Sequence, residues 1–295
     1  MKTETKKGLS FTIIAYLCVW LLVGAFWLSG KTTVSPLWAV VASVCMFMPL
    51  VATIITQMLN HEPVLGSIGI RWKINHWWFV AWLLPVAMTM GIIALSCLMP
   101  GTHFVKESPL LMEALDKINS AMPEGRQLSY SVLLLAQIAN GFIAGITINA
   151  LFAFGEEAGW RGYLLRQFAG KNFLLTAVVI GAIWGLWHAP LILMGHNFPA
   201  HPVTGVFMMI LFCVCLAPIA QFIRVKSGSV IAAAIFHGSF NAFATFVPVF
   251  LNNTNDLLTS PTGLAGIAVC LLALVCLHLT DRSVLSSTLD NMSQL

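Results

Sequence analysis

Charge is what this sequence has least of. Only 9% of its 295 residues are Asp, Glu, Lys or Arg, against roughly a quarter in an ordinary soluble domain. With 58% of the chain apolar, there is too little polar surface to cover a water-facing globule, so lipid has to be part of the solvent. The net charge of +4 calls for no nucleic-acid partner, because the basic residues fall where membrane topology puts them. Cysteine spacing of the CxxC kind is absent as well. Cys18, Cys45, Cys97, Cys213, Cys215, Cys270 and Cys276 all sit inside apolar runs, and they read as small buried hydrophobes rather than a disulfide framework. There is no HExxH and no GxSxG, since Gly228 and Ser229 belong to Ser-Gly-Ser-Val. No Asp lies inside an apolar run.

What the chain does have is a series of long apolar runs. Crossing the hydrocarbon core takes about 20 residues at about 1.5 Å per residue. Runs of that order cover Leu9–Ser29, Pro36–Leu59, Trp77–Met99, Leu174–Met194, Thr204–Ile223, Ser229–Leu251 and Pro261–Thr280. Lys2, Lys6 and Lys7 ahead of the first run have the flavour of a secretory signal, but the run is as long as a full span and reads as a retained helix. A longer stretch, Ser129–Phe168, is either one tilted helix or a helix broken near Asn140-Gly141.

Topology decides how often that stretch crosses. A single crossing gives eight spans and puts Lys2, Lys6, Lys7, Arg71, Lys73, Arg161, Arg166, Lys171, Arg224, Lys226 and Arg282 on one side. Lys31, Lys106, Lys117 and Arg126 fall on the other. Two crossings would destroy this asymmetry, and the basic-rich side is the cytoplasmic one. The expectation is therefore an all-α, polytopic membrane helical bundle of about eight transmembrane helices. It forms one integral membrane domain over 1–295 with both termini cytoplasmic, in a cell membrane and most simply a bacterial plasma membrane. In the one long outer loop, Pro100–Leu128, the residues Leu110, Leu111, Ala114, Leu115 and Ile118 recur at helical spacing. They mark a short surface helix without a chemical role.

Nine of the eleven acidic residues fall in loops or tails. Glu156 and Glu157 do not. An ionised carboxylate at membrane depth costs roughly 2.5–3.5 kcal/mol on insertion scales, so an adjacent pair has to face other helices or a water-filled cavity. Glu157 and Arg161 stand four apart, acid first, the favourable order for an intrahelical ion pair. Glu156 points about 100° away, towards the face of Trp160. Glu157 is thus expected to be held by Arg161, leaving Glu156 free for chemistry as a general base in an apolar, ring-lined setting.

Six of the eight histidines lie in loops or near helix ends, while His188 and His237 lie inside spans. His237 and Asn241 share a helical face. Counted from the cytoplasmic helix ends at about 1.5 Å per residue, Glu156 lies roughly 18 Å deep, His188 roughly 21 Å, and His237 and Asn241 roughly 12 and 18 Å. All four fall in one middle layer on three helices. Small residues on these helices, among them Gly155, Gly159, Gly162, Gly181, Gly185 and Gly238, let the backbones approach closely.

Glu156-Glu157-x-x-x-Arg161, His188 with an aromatic residue four places before it, and His237-x-x-x-Asn241 together resemble the motifs of the CAAX-protease and bacteriocin-processing family. This family, CPBP (formerly Abi), includes the eukaryotic and archaeal enzymes that trim prenylated CAAX proteins. One departure is visible: Trp184 stands where the family usually has Phe, a change expected to matter little because it keeps the ring. The resemblance implies an intramembrane endopeptidase with its catalytic core in 129–251. Its substrate would be a membrane-associated peptide or protein, reached through a water-filled opening expected on the cytoplasmic side. By the same resemblance Glu156 activates water together with His188, while His237 and Asn241 stabilise the oxyanion and Glu157 and Arg161 support them. A carboxylate is an adequate base, and imidazole and carboxamide are good donors.

The family has been described both as glutamate proteases and as metalloproteases. Zinc held by Glu156, His188 and His237 is the alternative to a metal-free site. The missing HExxH and the poor ligand character of Asn241 favour no metal and no other cofactor. Two rival functions use the same buried polar residues: a proton-coupled transporter, and a non-catalytic membrane protein that binds a partner, as in immunity. A proton relay, however, has no particular need for Asn241.

Overall fold

Eight apolar helical segments carry the architecture of the computed structural model, which describes residues 3–123 and 125–289. Lys2, Glu124 and Asp290, counted above among the loop and tail charges, lie outside the described residues. Six segments are long and apolar enough to cross a membrane: Thr3–Leu28, Pro36–Leu59, His76–Ser96, Tyr130–Leu164, Pro202–Ser227 and Val230–Phe250. Phe173–Trp187 and Leu264–Thr280 are shorter apolar helices. The chain is a polytopic helical membrane protein.

In chain order the helices are α1 (Thr3–Leu28), α2 (Pro36–Met46), α3 (Met48–Leu59), α4 (His76–Ser96), α5 (Pro109–Ser120), α6 (Tyr130–Ile146) and α7 (Ile148–Glu157). A π-helical turn, Ala158–Leu164, continues α7. Then come α8 (Phe173–Trp187), α9 (Ala189–Leu193), α10 (Pro202–Ser227), α11 (Val230–Ala244), α12 (Val247–Phe250), α13 (Leu264–Thr280) and α14 (Arg282–Ser286). The starts are written in side chains. Ser35, Asn75, Ser129, Asn172 and Ser229 each accept a hydrogen bond from a backbone N–H of the helix that follows, satisfying donors that the first turn leaves orphaned.

The long central stretch forms a single candidate span, Tyr130–Leu164. Its break falls at Thr147 (φ −116°, ψ −98°), not at Asn140-Gly141, both of which stay helical. The second span also bends, at Phe47, where Pro49 brings no N–H to the helix ladder. The surface helix of the long loop is α5, with Leu111 and Leu115 turned inwards and Lys117 bound to Glu113 at 2.6 Å. His103–Phe104 and Leu251–Asn252 form a short antiparallel pair that ties this loop to the segment after α12.

Two corrections concern individual residues. Arg161 and Arg224 are 1% and 2% exposed, so they are core residues rather than surface charges. Setting them aside leaves nine basic residues against four, and the asymmetry stands. Of the cysteines, Cys45, Cys213, Cys215 and Cys270 are buried, whereas Cys276 is exposed. The basic end is pinned by a Lys7–Glu62 ion pair and by Lys226 donating to Asp281 at 2.6 Å. Hydrogen bonds from Lys226 first, and then from Ser283, hold the Asp281 carboxyl down at about 2.

Glycine sets the closest helix contacts. A Cβ on Gly181 of α8 would meet the backbone of α10 at Val214, 2.7 Å away, and one on Gly145 of α6 would meet Ser239 of α11 at 2.8 Å. Gly238 of α11 presses directly on the backbone of α7 at Ala150. Without a hydrophobic force between helices in lipid, such small-residue contacts supply much of the packing. Gly238→Val is expected to cost about 1–3 kcal/mol through forced separation, read as a lower midpoint for thermal unfolding in detergent. Gly24→Ala, where a Cβ meets nothing within 4 Å, should leave that midpoint unchanged.

Candidate active site

Glu156 and Glu157 end α7 just where the backbone widens into the π-helical turn. Such turns are rare and are found frequently at functional sites. Here Gly159 and Gly162 let the turn lie against Pro49 and Ile68 at distances a Cβ would not fit. Both glutamates are buried, at 3% and 0% exposure. As expected, Arg161 Nη1 donates to Glu157 Oε1 at 2.9 Å. The contact is a single bond and not a fork, since Glu157 Oε2 and Arg161 Nη2 are buried without a hydrogen bond.

The same Glu157 oxygen also takes Nδ1 of His237 from α11, at 3.0 Å. Glu157 therefore joins two helices as well as two turns of its own. A carboxylate accepts only, so Nδ1 of His237 carries the proton in this bond. Asn241 follows one turn later on α11 and lines the same cavity as His237.

Glu156 has a different partner from the one its helical face foretold. Trp160 packs against Phe11 and Trp187 with its indole nitrogen unpaired, and it is Trp184 of α8 that donates Nε1–H to Glu156 Oε2, at 2.7 Å. The substitution of Trp for Phe at this motif position is thus chemically consequential: the ring is kept and a donor is added. A buried indole N–H needs an acceptor, and that requirement was the signal available in the sequence. The Arg161 guanidinium lies over the Trp184 ring, 4.4 Å from its centroid, a cation–π contact in a desolvated setting.

His188 closes α8 and leads into Pro190. Its Nδ1 lies 2.9 Å from the Trp184 carbonyl. A carbonyl only accepts, so Nδ1 donates, and in the neutral ring Nε2 is left as an acceptor. The His188 ring stands edge-on to Trp187, 4.8 Å between centroids.

Glu156, His188, His237 and Asn241 all line one cavity of about 440 Å³, within the range of small-ligand sites. Glu157 and Arg161 stand behind it. The cavity opens away from the basic loops and not towards them: its rim is formed by His196, Asn197, Thr245 and Ser260–Thr262, in the segments joining α9 to α10 and α11 to α13. Ala42, Ser43 and Met46 of α2 complete the wall. These wall residues were not picked out from the sequence, since nothing in their types marks them.

Residues 133–243 match the family described as Type II CAAX prenyl endopeptidase Rce1-like. This central segment is similar to that family. It contains all six residues singled out above. A stretch of 58 residues is 34% identical to CAAX prenyl protease 2 from Methanococcus maripaludis. That stretch is 19% of this chain, which spans about a fifth (21%) of that relative's length. The Rce1-like segment supplies the polar layer, whereas Ala42, Ser43, Met46 and Ser260–Thr262 come from outside it.

Among the described residues no group of three or more His, Cys, Asp or Glu side chains is placed to hold a metal ion. Glu156, His188 and His237 each spend one polar atom on a protein partner and keep the other for the cavity.

Removing one partner of a buried ion pair leaves the other charge uncompensated, at about 3–5 kcal/mol. Arg161→Met should therefore lower thermal stability in detergent markedly. Glu156→Gln, which keeps an acceptor for the Trp184 indole, should shift it far less.

Proposed function

We propose that the protein is an intramembrane endopeptidase in which Glu156 activates a water molecule to attack a peptide bond. The observation that carries this reading is the single cavity lined by Glu156, His188, His237 and Asn241 from three separate helices. The matched family and the printed name of the Methanococcus maripaludis relative support the same reaction class.

Each group has a chemical task that its surroundings permit. One oxygen of Glu156 is fixed by the Trp184 indole, leaving the other for a water proton. Nε2 of His188 is an acceptor when the ring is neutral, so it can help orient that water, while the proton that Glu156 takes from the water passes to the leaving amine. The tetrahedral intermediate places negative charge on the former carbonyl oxygen, and preorganised donors there contribute strongly to rate. Asn241 supplies a carboxamide N–H. His237 supplies Nε2–H in the form that carries protons on both nitrogens, with its charge facing Glu157. The substrate is a membrane-associated peptide or protein, and the resting place of the enzyme is a cell membrane, crossed several times.

The direct test compares membrane peptides from cells carrying the wild type and Glu156→Gln. An uncut precursor should accumulate with Glu156→Gln and with His188→Ala, each slowing cleavage by about 10²–10⁴-fold. If cleavage persists with both variants, the reading fails. Trp184→Phe should be milder, about 10–100-fold, the scale of one hydrogen bond to a charged group. Purified wild-type protein treated with a strong chelator should retain full cleavage. Loss of activity on chelation that returns with stoichiometric zinc would refute the metal-free route.

A further inference from the structure

Beside the catalytic cavity lies a second one, of about 480 Å³, lined by residues 197, 199–201, 247–248, 254–256 and 259–261. The two share Asn197, Ser260 and Pro261. Pro199, Val247, Pro248 and Pro261 give the second cavity apolar walls. Asp256 fastens its two lips together: one oxygen accepts from the Ala200 N–H at 2.8 Å and the other lies 2.6 Å from His201 Nδ1. Although burial opposes it, the hydrogen bonds from His201 and Ala200 hold the Asp256 carboxyl below its usual range.

On the opposite side the site is backed by buried side chains. Behind Glu157 and His237 stand Trp160, Arg161, Tyr163 and Arg224, none more than 2% exposed, and Arg224 Nε donates to the Arg161 carbonyl. No residue of the basic loops, 60–75, 165–172 or 228–229, lines either cavity. Lys31, Lys106, Lys117 and Arg126 are the basic residues of the loops at the open end. The basic-rich end is cytoplasmic by the charge rule.

We infer that the second cavity is the vestibule through which water and the peptide substrate reach Glu156, and that it faces the extracytoplasmic side. Its occupant is an extended peptide segment with apolar side chains, presented at the outer membrane surface. A substrate confined to the cytoplasmic face has no path to the site. What passes through the vestibule rests on the protease reading, while the route itself does not.

The test therefore reads access without requiring cleavage. Ala42→Cys places a thiol in the wall of the catalytic cavity, in a full-length chain carrying Cys97→Ser because Cys97 caps α4 at the same end. Lys73→Cys, on an exposed basic loop, reports the other side. A membrane-impermeant maleimide added to intact cells should label Ala42→Cys, and should label Lys73→Cys only after permeabilisation. Filling the vestibule with Ala200→Trp, or with Thr254→Trp should the first fail to reach the membrane, should slow Ala42→Cys labelling at least about tenfold, as when a probe must wait for a wall to move. Both substituted residues are exposed and line the second cavity. Labelling of Ala42→Cys only from the cytoplasmic side, or at a rate indifferent to both tryptophans, would overturn the inference. Comparing precursor processing in wild type and Glu156→Gln tests the protease reading separately, so each can fail alone.

Discussion

A carboxylate that cannot reach water organises the centre of this protein. Glu157 is fully buried, and one of its oxygens takes both Arg161 and His237. Stripping a charge of water is costly unless opposite charge and hydrogen bonds replace it. Arg161 provides the charge, and its guanidinium rests on Trp184. Trp184 in turn donates to Glu156 through its ring and accepts from His188 through its backbone. One desolvated anion thereby fixes, through short steps, the orientation of three groups that face the cavity. The buried ion pair is better understood as an alignment device than as a source of net stability.

Much of this was legible in the sequence, and for a definite reason. Hydrocarbon imposes a length on each apolar run and forbids stray charge, so the spans and the anomalous Glu156-Glu157 pair stand out from composition alone. The i, i+4 relation of Glu157 to Arg161 follows from helix geometry and survives the change from α to π winding. His237 as a second partner of Glu157 was not legible, because it depends on how α7 and α11 rotate against each other. Trp184 was read as a ring when its N–H matters as much. The break at Thr147 carries no proline to announce it. The loop residues that line the cavity were not legible, because they come from the connecting segments 194–201 and 254–262, whose residue types are unremarkable.

The match to the Rce1-like family covers residues 133–243, and the cavity does not stop there. The polar layer comes from within that segment, while α2 and the segment before α13 supply the remaining wall. Under the proposed function, chemistry and recognition have different addresses along the chain, and a likeness confined to the first speaks to the reaction class alone.

The direct backbone contact of Gly238 with Ala150 has a wider meaning. It fixes the spacing of α7 and α11, and with it the Glu157–His237 bond, so these helices cannot slide or part to suit a new ligand. Diversification has to occur elsewhere, in the connecting segments at the open end and on the faces turned to lipid. Grafting 194–201 and 254–262 from one such protein onto another is then the natural way to exchange selectivity while the reactive layer stays untouched.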